Sequence, residues 1–98
     1  SRGLGDVYKR QVISYDIADD LMRSRFARML VKNGAIRLQY SVYEVANTQR
    51  VIDNLFVKIE SYSKHFTASD SVIIFDVQSD KLRKYGNAIH RDRDIVYL

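Results

Sequence analysis

Residues 12–30, "VISYDIADDLMRSRFARML", change their apolar period in mid-course, and that change decides the fold. Over 12–17, Ile13, Tyr15 and Ile17 alternate with Val12, Ser14 and Asp16, the period of two that belongs to a strand. Beyond Asp19 the spacing lengthens: Met22, Phe26, Met29 and Leu30 recur at three and four residues. That predicts an amphipathic helix over 20–33. Asp19 is the natural N-cap, because a short carboxylate can accept an orphan N–H of the first turn. Gly34 stands where a helix C-cap belongs. Asp19 and Asp20 are thus read as capping and dipole-complementing residues. Asp16, ahead of them, is left at the strand end.

The rest of the chain repeats this scheme. Residues 36–45, "IRLQYSVYEV", are rich in β-branched and aromatic residues and predict extended structure, as one bent strand or two short ones. Asn47 or Thr48 opens a second helix to about His65. Its inward stripe is Val51 or Ile52, Leu55, Phe56, Ile59 and Tyr62. "VIIFDV", 72–77, is the strongest strand, and "DIVYL", 94–98, closes the chain as a short one. Two strand–helix–strand crossovers sharing one sheet predict an α+β ferredoxin-like plait, βαββαβ, with a short C-terminal strand.

Two helices cover only one face of such a sheet. Ile73, Phe75 and Val77 share one face of the last core strand, with Val72 and Ile74 on the other, so both faces carry apolar side chains. Large exposed apolar faces are rare on monomers. The expectation is a homodimer packed sheet to sheet. The alternative is that the C-terminal segment folds back within its own chain.

Composition sets outer bounds. At 98 residues the chain is one domain, expected over 12–98, with 1–11, "SRGLGDVYKRQ", read as a non-native or disordered leader. The formal charge is +4. Three of the sixteen bases and one of the twelve acids fall in 1–11, which leaves thirteen against eleven, so the domain itself is only mildly basic. Local clustering must therefore carry any case for nucleic acid. On a helical wheel Arg25, Arg28 and Lys32 form one stripe, a candidate phosphate track, with Arg23 on the other flank of the apolar face. Lys81, Arg83, Lys84, Arg91 and Arg93 cluster late in the chain. Tyr40 and Tyr43 are candidates to stack bases, weighed against packing in the core or an interface. There is no cysteine, so disulfides and thiolate metal sites are excluded, and His65 and His90 are far apart, so no His-based zinc motif is visible. No apolar run is long enough to span a bilayer, and no signal-peptide pattern appears. A cytoplasmic protein with no membrane partner is expected.

"YDIADDLMRSR", followed after a helix by Gly34 and "RLQYSVYE", resembles the CRISPR-associated protein 2 family over about residues 8–98. The resemblance implies a small subunit of CRISPR adaptation, in which a dimer bridges the CRISPR integrase (CRISPR-associated protein 1) on duplex DNA. It also implies a metal-dependent endonuclease activity on single-stranded RNA or double-stranded DNA. Carried over by position, Asp16 is the catalytic, metal-binding carboxylate, with Tyr15 before it. Arg23 and Arg25 match the arginines of the first helix, and Arg37 a basic residue before the glutamine. Tyr43 stands where phenylalanine is usual, keeping the ring and adding a hydroxyl. Nucleic-acid contact is thus expected of Tyr15, Arg23, Arg25, Arg28, Lys32, Arg37 and Tyr43. Magnesium often takes one or two carboxylates, water and phosphate. One Mg2+ shared by the Asp16 residues of two chains is the expected cofactor. The alternatives are a toxin-type ribonuclease resembling virulence-associated protein D, and a non-catalytic nucleic-acid-binding plait.

Overall fold

The computed structural model describes residues 8–88, with the side chain of Ser79 left aside. Its elements run β1 (Lys9–Asp16), α1 (Asp20–Lys32), β2 (Ile36–Gln39), β3 (Val42–Asn47), α2 (Gln49–Ser63) and β4 (Ser71–Val77). The sheet order is β2-β3-β1-β4, and every neighbouring pair is antiparallel. This is the ferredoxin-like plait. The expected closing strand at 94–98, with His90, Arg91 and Arg93, lies outside the described residues, as do residues 1–7.

Local chemistry fixes each boundary. Asp19 caps α1: its carboxylate accepts the Met22 N–H at 2.8 Å. At the other end Gly34, at φ 93°, lets the chain turn back. Its N–H reaches the Val31 carbonyl at 3.0 Å and the Ala35 N–H reaches Leu30 at 3.0 Å. Those are the paired bonds of a Schellman ending. Thr48 caps α2 through the Val51 N–H. The extended run 36–45 is a hairpin, with Tyr40 and Ser41 as its two-residue turn.

The helices cover one face. Ile13, Tyr15, Tyr43 and Val45 of the sheet, with Ile17 just past β1, pack against Phe26 and Leu30 of α1 and Ile52, Leu55 and Ile59 of α2. Phe26, Leu30 and Leu55 are fully enclosed, and each such side chain contributes about 1.5–3 kcal/mol. The opposite face carries Val12 and Ser14, paired with Phe75 and Ile73 on one side and Glu44 and Val42 on the other. Ile73 and Phe75 remain 55% and 52% exposed.

Glu44 lies on this open face yet is buried. Arg10 from β1 pairs with it, and Lys84, beyond β4, brings Nζ to 2.6 Å from Oε1. The stretch after β4 therefore returns across part of the open face. β1 begins at Lys9, three residues ahead of the strand expected from residue 12. Lys9, Arg10 and Gln11 are polar and look unlike a strand. They pair in register with Asn47, Ala46 and Val45, and Arg10 finds its charge partner far along the chain.

A candidate nucleic-acid interface and the place of Asp16

The acids and bases that crowd residues 16–28 are sorted by the fold. Asp19 serves the helix cap. Asp20 pairs with Arg23, whose guanidinium also donates to the carbonyls of Ile17 at 2.9 Å and Ala18 at 3.3 Å. The Asp20 carboxylate raises the Arg23 pKa above its ordinary value, and the nearby Tyr40 hydroxyl adds to this. On the far side, Asp70 accepts the N–H groups of Ala18 and Thr67, each at 2.9 Å. The loop after β1 is thus pinned from two directions.

Asp16 is left exposed at the end of β1, on the open face and opposite Ser71 of β4. It does not join Asp19 and Asp20. Among the described residues no group of three or more carboxylates or imidazoles is placed to hold a metal ion. One accessible carboxylate fits a hard cation only if water, phosphate or a second Asp16 completes the oxygen set.

Tyr15 and Tyr43 are core residues, at 7% and 6% exposure. Tyr15 meets Phe26 edge to face at 4.9 Å and lies near-parallel to Tyr43 at 6.0 Å. Burial, with Tyr43 beside it, pushes the Tyr15 phenol up to about 12. Both rings are thus packed in the core, against Phe26 and against each other. Tyr40 is the contrary case, 70% exposed on the hairpin turn, with the Arg37 guanidinium carbon 5.9 Å from its ring centroid.

The basic stripe is intact and gains a partner. Arg25, Arg28 and Lys32 of α1 line a groove of about 450 Å3 together with Lys58, Ser61 and Tyr62 of α2. Four cationic side chains and no carboxylate line it. Lys58 Nζ donates to Asn33 Oδ1 at 3.1 Å, and Asn33 Nδ2 donates to the Met29 carbonyl at 2.7 Å, which ties the second helix to the end of the first. Tyr62 sets the floor, edge-on to Phe26 at 5.5 Å. Arg23 is not part of this groove, in keeping with its place on the other flank of α1. Lys58 was missed by sequence reasoning. Its signal was its place on the flank of α2, one residue before Ile59. Of the late basic cluster, Lys84 is held by Glu44. The groove and Asp16 lie on opposite sides of the sheet, because the helices cover the face that Asp16 turns away from.

A family model described as CRISPR associated protein Cas2 matches residues 9–85. The chain belongs to the Cas2 family. Two solved structures share its plait. One is a crystal structure of hypothetical protein TT1823 from Thermus thermophilus, 26% identical, with a TM-score of 0.63 over 74% of this chain and 85% of that one. The other is a crystal structure of cas2, 20% identical, with a TM-score of 0.64 over 82% and 88% of the two chains. At that identity the second likeness speaks for the Cas2 fold alone. A search of curated proteins gave no match. Among the described residues no helix is long and apolar enough to cross a membrane.

Proposed function

We propose that this Cas2-family chain serves spacer acquisition by holding duplex DNA: two copies pack open face to open face, and the pair bridges dimers of the CRISPR integrase. The observation that carries the reading is the groove between α1 and α2, with Arg25, Arg28, Lys32 and Lys58 and no carboxylate in its lining. A cationic track of this kind binds phosphate without reading bases, since each neutralised phosphate releases counterions. That suits a subunit that must accept new DNA of any sequence. Family membership favours it over the toxin-type ribonuclease.

Charge reversal tests it. Arg28→Glu with Lys58→Glu is expected to weaken duplex binding and to reduce the slope of log affinity against log salt by about 2, near 0.9 per lost phosphate contact. An unchanged slope overturns the phosphate track.

A second reading is favoured by one observation, the exposure of Asp16 on the open face. Pairing open faces would bring two such carboxylates towards one seam, where they could hold one Mg2+ between them. The ion would supply Lewis-acid chemistry to a phosphodiester, in RNA or DNA. Asp16→Ala is then expected to abolish Mg2+-dependent cleavage while duplex binding persists. Cleavage that survives the substitution removes Asp16 from any catalytic role.

A further inference from the structure

We propose that Asn33 is a positioning residue for the basic groove: it holds Lys58 ready for a phosphate without cancelling its charge. This role rests on the DNA-holding reading and supplies what that reading lacks, a reason for the fourth cation to stay in line with the other three.

The difficulty is physical. Arg25, Arg28, Lys32 and Lys58 line one groove with no carboxylate among them. Like charges in one cleft repel. A lysine also carries its ammonium on a flexible four-carbon stem. Left alone, Lys58 would swing out to solvent, and binding a phosphate would first have to order it. A carboxylate partner would hold the ammonium, but it would also neutralise the charge that a phosphate needs.

Asn33 meets the difficulty with a neutral acceptor. It follows Lys32 and is the C-cap of α1. Its Nδ2 donates to the Met29 carbonyl at 2.7 Å, and its Oδ1 accepts from Lys58 Nζ at 3.1 Å. Both neighbours demand this orientation of the amide, since a carbonyl only accepts and an ammonium only donates. The side chain is thus fixed by its own helix and offers a fixed oxygen to the other. Asn33 is half-buried, whereas Lys58 stays exposed. An ammonium has three donors, so one directed at Asn33 leaves two for phosphate oxygens.

The helices place the pair at one end of the groove. Four residues beyond Lys58, the Tyr62 hydroxyl lies 3.5 Å from the Arg25 carbonyl. The two helices therefore run antiparallel, and Lys58 stands at the carbonyl end of α1. The helix dipole favours a cation there as well. Lys58 is the one cation of the groove that α2 supplies, so its alignment with the stripe on α1 depends on a contact between the helices.

The test measures affinity of the full chain for a blunt duplex as a function of salt, in a double-mutant cycle. Asn33→Ala keeps all four cations. It is expected to weaken binding roughly threefold, through the ordering of one free lysine, with the salt slope unchanged. Asn33→Asp is expected to turn its carboxylate to Lys58 and to lower the slope by about 0.9, one phosphate contact. In a Lys58→Met background Asn33→Ala is expected to change nothing further. An equal loss in that background would mean that Asn33 acts only through the end of α1, and it overturns the proposal. Parent affinity in Asn33→Ala overturns it too, and so does a parent slope in Asn33→Asp. If the parent shows no salt-dependent duplex binding, or if Arg28→Glu with Lys58→Glu leaves it unchanged, the DNA-holding reading falls and the role of Asn33 falls with it. If that charge reversal weakens binding while Asn33→Ala does not, only the positioning role falls.

Discussion

Asp70 holds two loops with one carboxylate. One oxygen takes the Ala18 N–H and the other takes the N–H and hydroxyl of Thr67. The backbone N–H of Ala18, then that of Thr67, keeps its pKa below the ordinary 3.8. A depressed carboxylate stabilises the fold fully above its unfolded pKa. That contribution is lost as pH falls through the folded value. Melting temperature measured from about pH 6 to about pH 2 should therefore fall on the acid side. Asp70→Asn should start lower and show a shallower acid limb, since a side-chain amide cannot accept on both sides. An identical acid limb in the variant would remove Asp70 from the linkage. Asp19 was readable as a cap because its partner lies three residues away. The Asp70–Ala18 and Lys58–Asn33 contacts were not readable, because their partners are 52 and 25 residues apart.

At the scale of the elements, signals held in a few neighbouring residues were legible. Gly34 marked the end of α1 and carries the positive φ that such an ending needs. A Cβ there would meet nothing nearer than Asn47 Nδ2 at 3.8 Å, an ordinary contact, so the cost of a substitution is conformational. Gly34→Ala should cost about 1 kcal/mol, a fall of about 4–8 °C in melting temperature for a domain of this size. A thermal scan checks this, and no change would mean that the turn relaxes elsewhere. The sequence of 36–45 does not decide between a hairpin and a bent strand, because Tyr40–Ser41 lacks the Asn-Gly or Gly that announces such turns. Ser41 accepts the left-handed conformation because the pairing around it requires it. The start of β1 was hidden for a related reason. Its first three residues are polar, and what makes them a strand is Asn47, Ala46 and Val45 across the sheet.

For the molecule as a whole, the open question in the sequence was what covers the second face of the sheet. Part of the answer is internal, through Lys84 and Glu44, but Ile73 and Phe75 stay half exposed. Under the proposed pairing both helix layers turn outward, so the basic grooves sit on the flanks and Asp16 nearer the seam. Sedimentation at micromolar concentration should then give twice 11.4 kDa. Phe75→Glu should give the single chain with unchanged far-ultraviolet circular dichroism, since like charges set against each other cost several kcal/mol. A parent protein that sediments as one folded chain removes the pairing and the shared cation with it.

Glu44 has a practical corollary for anyone trimming this domain. Its two counter-charges come from opposite ends of the described chain, Arg10 near the start and Lys84 near the finish, and meet on the middle of β3. Removing either leaves a buried anion with one countercharge fewer, and removing both leaves it uncompensated, a loss on the order of 3–5 kcal/mol. The shortest version that keeps its stability must therefore begin no later than residue 10 and run at least to residue 84. A cut at the last residue of β4 would spare every strand and still undo the lock.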